Sequence, residues 1–259
     1  MNWASRGTPS ADHAAKRHSV PFIGRAMAFD VCRIRHIIRM RSDDGTIMDR
    51  SFWRNGHTPT LFSAFLYFDL SFMVWYLLGP LQIQIAHTLS LTTQQRGLMV
   101  ATPILAGAIL RVFMGMLADR IGAKRAGLIG QVLVIASLLV AWRTGVHSMG
   151  QVLLFGAALG VAGASFAVAL PLASRWYPPH QQGTAMGIAG AGNSGTVLAA
   201  LFAPVLAVMF GWQNVFGIAC IPLIAVLVFY TLKAKDAPGV VAHKHLRDYA
   251  RMLASRDAW

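Results

Sequence analysis

The sequence predicts an all-α, polytopic membrane protein with six transmembrane helices. Two observations carry that expectation. Charged residues make up only 13% of the 259-residue chain, against about 25% in an ordinary soluble domain, and the mean hydropathy is +0.51. Six apolar runs also come close to the ~20 residues that a bilayer-spanning helix needs. They lie at Phe62–Ala86, Gly97–Leu117, Ala126–Trp142, Gln151–Ala173, Gly183–Phe210 and Gln213–Leu232. The runs are continuous and rich in Gly, Ala and Leu, whereas barrel strands would alternate polar and apolar residues.

The net charge of +13 would point to nucleic acid in a soluble protein. Here the bases sit between the oily runs and at both ends, so the lipid bilayer with its anionic inner surface is the expected partner and nucleic acid is not. With both termini inside, the inner side takes twenty of the 23 Lys and Arg, the outer side takes Arg96 and Arg143, and Arg111 is left within a span. That bias predicts a multi-pass protein of the cell (inner) membrane with both termini cytoplasmic. Cys32 and Cys220 have no metal or redox spacing. No nucleophile–base pair, metal cluster or phosphate loop stands out, so neither an enzyme nor a cofactor is expected.

The chain divides into a basic tail over residues 1–60, a six-helix bundle over 61–232 and a second basic tail over 233–259. Its opening stretch "MNWASRGTPSADHAAKRHSV" is polar and non-periodic, with no signal-peptide core. Three readings of it stand: a basic amphipathic surface helix in "FDVCRIRHIIRMR", a leader ahead of a start at Met48, or an organellar transit peptide. In span one, Asp69 stands about two turns from the expected inner end. It reads as a helix-end acid, with a proton relay as the other reading.

Span two contains "ATPILAGAILRVFMG", in which Arg111 has no carboxylate within seven positions. On a helical wheel Leu105, Ile109, Val112 and Met116 form a bulky stripe, while Arg111 shares a face with Gly107, Ala108 and Gly115. Small residues mark helix contact, so the guanidinium is expected to look into the bundle. Its burial costs about 2.5–3.5 kcal/mol on insertion scales. Either it snorkels to headgroups or it is a fixed cation that receives an anion.

After span two comes "GMLADRIGAKR", with Gly115, Asp119, Arg120, Gly122, Lys124 and Arg125 at fixed offsets. Gly115 suits a close helix approach, Gly122 a turn with unusual dihedrals, and Asp119 can accept from backbone or Arg at a helix end. Lys124 and Arg125 are expected among headgroups. The loop resembles the conserved loop of the major facilitator superfamily at every position. That resemblance implies the N-terminal half of a twelve-helix fold, with the tail from 233 similar to the central loop and a C-terminal six-helix half missing.

Span five carries "GTAMGIAGAGNSGTVLAALFAP". Gly183, Gly187, Gly190 and Ser194 make one smooth stripe, Gly192 and Gly195 smooth another face, and Asn193 is an amide that lipid would leave unsatisfied. The segment "AGAGNSG" resembles the signature of the nitrate/nitrite porters within that superfamily. The likeness extends to "FLYFDLSFMVWYLLGP", "GAILR" and "SFAVALPLASRWYP". It implies that Arg111 is the substrate-binding arginine, that Phe166 packs on the bound anion and that Asn193 lies near it. It also implies that Gly187, Gly190, Gly192 and Gly195 let helices move closely during alternating access. Nitrate and guanidinium are both planar, which suits bidentate recognition. The expected function is transport of nitrate and/or nitrite. The rivals are a porter for another small anion or an organic acid, and a truncated membrane protein that transports nothing.

Overall fold

The computed structural model describes residues 50–237. The surface-helix, transit-peptide and central-loop expectations fall outside them. Every regular element among the described residues is helical: α1 (Arg50–Asn55), α2 (Thr58–Trp75), α3 (Leu78–Leu89), α4 (Thr93–Ile121), α5 (Ala123–Thr144), α6 (Met149–Gly163), α7 (Phe166–Ser174), α8 (Gln182–Gly190), α9 (Gly195–Phe210) and α10 (Trp212–Lys233). A 3₁₀ turn at Ala191–Ser194 joins α8 to α9. Six segments are long and apolar enough to cross a membrane: Thr58–Leu89, Thr93–Ile121, Ala123–Thr144, Met149–Ser174, Gln182–Phe210 and Trp212–Lys233.

Local chemistry fixes the helix ends. His57 caps α2 by accepting from the Thr60 amide, with Pro59 in the first turn, where proline loses nothing. Thr92 and Gln95 form a reciprocal capping box at α4. Ser148 caps α6 by accepting from the Gln151 amide. Three spans are broken internally where the sequence reads as continuous. Span one turns at Tyr76–Leu77, span four at Ala164–Ser165, and span five at the 3₁₀ segment.

The buried side chains form two clusters along the bundle. One gathers Val74, Leu138, Leu159 and Phe216, and the other Tyr67, Phe68, Met114, Leu172 and Tyr230. The stripe of Leu105, Ile109 and Val112 is about 60% exposed, as a lipid-facing surface should be. Gly107 is buried against Trp75 and Gly160, as its face predicted. Ala108, on the same face, is exposed.

Basic residues crowd one end of the bundle, and that end is tied together. Asp119 pairs with Arg175 at 3.1 Å, and Asp236 Oδ1 accepts the Lys124 amide at 2.9 Å. Gly122 has φ +92°, and an added Cβ there would press on the Asp236 carboxylate, so the glycine is required twice over. Lys124 Nζ donates to the Thr231 carbonyl at 2.8 Å. The C-terminal carbonyls of α10 attract the ammonium. Arg120 and Arg125 are exposed. Residues 50–57 pack onto this end as well, with Phe52 stacked on Tyr177 at 4.5 Å and only 2% exposed. The Lys235 amide donates to Thr60 Oγ1, whose hydroxyl contacts His57 Nδ1 at 2.7 Å. Burial, and secondarily the nearby Lys235 charge, lower the His57 pKa below its ordinary value. The neutral ring is the form that can accept at Nδ1.

Candidate anion site

Arg111 is the nineteenth residue of the 29-residue α4, facing α6 and α7. Its Nη2 donates to the Gly163 carbonyl at 3.3 Å. Gly163 is the last residue of α6, so the break in span four presents the carbonyl that holds the guanidinium. Phe166, at the start of α7, places its ring centroid 5.0 Å from Arg111 Cζ, within cation–π range. Arg111 Nε is buried and has no hydrogen-bond partner. Among the described contacts, one N–H of five is committed to protein. The headgroup-snorkelling alternative does not describe this geometry, since the fork is held by the backbone of the adjacent span.

Trp75 braces the same region. Its Nε1 donates to the Pro103 carbonyl at 2.9 Å, and its ring lies where Cβ atoms at Gly107 and Gly163 would fall. Phe68 meets Phe166 at 5.7 Å between ring centroids. Phe68 also touches the place where a Cβ on Gly192 would stand. Packed rings thus connect Arg111 to the signature segment.

That segment lies in the 3₁₀ turn. Asn193 is exposed, its own carbonyl accepts from Thr196 Oγ1 at 2.9 Å, and it makes no direct hydrogen bond to Arg111 among the described contacts. The structure brings Arg111 and Phe166 together and places Asn193 on the open surface of span five.

The glycines divide into two sets. Added Cβ atoms on Gly192 and Gly195 would collide with the backbone of α2 at Phe65 and Asp69, so these two let spans one and five touch. Gly183 and Gly187 have nothing within 4 Å, and Gly190 only Leu170 at 4.0 Å. The stripe read from the sequence as a possible packing face is an open one in this chain. Gly115 meets only Ala167 Cβ at 3.8 Å, an ordinary contact and not the close approach expected of it.

The site includes a residue the sequence misplaced. Asp69 is the twelfth residue of α2 and is 7% exposed, about 16 Å from the helix start at 1.5 Å per residue. The helix-end reading is overturned, because α2 begins at Thr58, a turn earlier than the apolar run. Asp69 Oδ1 accepts from Ser194 Oγ at 2.7 Å. The "GHTP" cap signal ahead of the run could have shown the earlier start.

Six helices long and apolar enough to cross a membrane define a multi-pass membrane protein. The family model described as "Major Facilitator Superfamily" matches residues 63–258. The chain belongs to that superfamily. It is 40% identical over 173 residues to a "Probable nitrate/nitrite transporter NarK2" of Mycobacterium tuberculosis, covering 65% of this chain and 43% of the relative. It is 30% identical to a "Probable nitrate transporter NarT" of Staphylococcus carnosus, covering 64% and 42%. A "Nitrite extrusion protein" of Bacillus subtilis is 33% identical, covering 55% and 36%. The chain thus spans less than half the length of these relatives. Among solved structures, an inward-facing bacterial homolog of the human lysosomal transporter Spinster superposes with a TM-score of 0.57 at 22% identity, covering 71% of this chain and 46% of that one. That likeness shows the fold alone.

Proposed function

We propose that this chain forms the N-terminal half of a porter that carries nitrate and/or nitrite across the cell (inner) membrane by alternating access, with a C-terminal six-helix half as its partner and both of its own termini cytoplasmic. The observation that carries the reading is the Arg111 fork, anchored on Gly163 and Phe166. A planar oxyanion can accept two parallel N–H bonds from such a fork. The names of the relatives point to the same anions. Asn193 and the open glycine stripe of Gly183, Gly187 and Gly190 face where the second half would stand, and the 115–125 loop serves as the gating loop. The bias of bases toward one end supports the orientation.

The test is Arg111→Lys, assayed by nitrate binding to the purified chain. Lysine keeps the charge but offers a point donor in place of a fork. Losing one charge-assisted hydrogen bond, about 1.5–3 kcal/mol, should weaken nitrate about ten- to hundredfold with the amount of folded protein unchanged. Near-normal affinity in the lysine variant, or equal competition by chloride, overturns the reading.

A further inference from the structure

We propose that a groove between α5 and α6 binds one acyl chain of an anionic phospholipid, with the headgroup held at Arg143. The cavity there measures about 460 Å³, within the range of small-molecule sites. Leu133, Val140 and Leu154 line it and are 50–74% exposed, so it opens outward. Small side chains leave the space between them: Ala136, Ser137 and Ala141 on α5, and Ala158 on α6. The buried Phe155 lines it too and packs on Phe216, with ring centroids 4.7 Å apart, so the groove is backed by the core. The open glycines of α8 contribute nothing to the lining, so the groove is separate from the face assigned to a second half.

Dimensions and polarity identify the occupant. The lining runs along α5 from Leu133 to Thr144, about 16 Å at 1.5 Å per residue. That is about half of a ~30 Å hydrocarbon core, the depth covered by the chains of one leaflet. The hydroxyls along this wall are turned back onto their own helix. Ser137 Oγ donates to the Leu133 carbonyl and Thr144 Oγ1 to the Val140 carbonyl, both at 2.8 Å. The slot therefore offers hydrocarbon contact and little for a polar solute to bond, and leaving it unfilled would forfeit dispersion energy. The Thr144 end differs. Trp142 is 39% exposed there and donates through Nε1 to Asn214 Oδ1 at 2.9 Å, an amphipathic ring of the kind found at headgroup level. Arg143 is exposed beside it, with Cζ 5.5 Å from the Trp142 ring centroid. Gln151, at the same mouth, accepts the His147 amide through Oε1 at 2.7 Å, and the opposite branch of its amide carries two donors. No Asp or Glu occurs between Asp119 and Asp236, so no carboxylate of these spans opposes a phosphate. A guanidinium and an amide above an apolar slot fit a phosphodiester with its chain beneath.

The test places the purified chain in phosphatidylcholine nanodiscs with rising fractions of phosphatidylglycerol that carries a photoactivatable diazirine midway along one acyl chain. After illumination, labelled peptides are mapped and counted by mass spectrometry. The expected result is saturable labelling of α5 and α6 at the groove, approaching about one adduct per chain and displaced by unlabelled phosphatidylglycerol. Exposed positions such as Ile221 and Val228 on α10 should label only in proportion to the lipid supplied. Diazirine-bearing phosphatidylcholine should need about fivefold more lipid to saturate the groove, the preference expected of one basic residue near an anionic headgroup, and Arg143→Gln should remove that difference. Ala136→Phe fills the slot from an exposed position and Ser137→Leu from a half-buried one; whichever folds should lose the saturable labelling. Labelling that is unsaturable or even over all exposed faces overturns the proposal. So does saturable labelling that survives in a folded groove-filling variant, or a headgroup preference unchanged in Arg143→Gln. Nitrate binding is not part of the readout, so the anion reading stands or falls separately.

Discussion

Trp75 Nε1 donates to the carbonyl of Pro103 at 2.9 Å, so span one grips span two beside the proline inside α4. The same ring fills the space that side chains at Gly107 and Gly163 would need. Gly163 in turn holds Arg111. The aim of the guanidinium therefore depends on a residue that does not touch it.

Trp75→Phe should lower nitrate affinity about fivefold, the value of one net hydrogen bond near 1 kcal/mol, with a modest loss of thermal stability. Gly163→Ala should do more, because its methyl would overlap the Trp75 ring. Isothermal titration and thermal melting of the two variants check this. An affinity unchanged in both would show that Arg111 needs no such brace.

Two alanine substitutions in span five should act in opposite directions. Gly195→Ala forces a methyl into the backbone of α2 at Asp69, and overpacking of this kind costs about 1–3 kcal/mol or more. A sharp fall in folded yield is expected. Gly187→Ala meets open space inside α8, where alanine gains about 0.5–1 kcal/mol over glycine. This chain should then melt slightly higher. Melting temperatures by fluorescence distinguish the two, and equal effects would mean that the open stripe is covered.

A chain starting at Met48 should insert and melt like the full one, since the opening stretch it removes is polar and non-periodic. A chain starting at Thr58 loses Phe52, which is 2% exposed and stacked on Tyr177. Burial of one phenylalanine is worth about 1.5–3 kcal/mol, so a clearly lower melting temperature is expected. Membrane fractionation and melting of both truncations supply the measurement. Loss of insertion from the Met48 start would give the leader a role.

The six spans were legible because lipid demands long apolar runs, and composition alone reveals those. Arg111 was legible for the same reason: a permanent charge inside such a run stands out. Gly122 was readable too, since its offset in the loop demands a turn, and the structure gives it a positive φ. The breaks within spans were not legible. Tyr76–Leu77, Ala164–Ser165 and Ala191–Ser194 turn on residues as apolar or as small as their neighbours, and tertiary packing, not local propensity, decides where the helix yields. Asp69 was misplaced because hydropathy marks where oil begins, whereas the helix begins at its cap on His57. Nor could periodicity tell which glycines of span five are covered, because both faces look equally smooth until partners are assigned.

The short winding change in span five also sets an angle. A 3₁₀ turn advances 120° per residue and an α-helix 100°, so the four residues at Ala191–Ser194 add about 80° of rotation over an unbroken helix. That offset aims α9: Ala199, Ala203 and Ala207 are buried, whereas Leu201, Val205 and Val208 are 55–80% exposed. Rewinding the turn into α-helix would roll the alanine seam out of the bundle or swing α8 and its open glycines around the span axis. The azimuth of the glycine face and the seating of α9 are thus geared to each other through four residues.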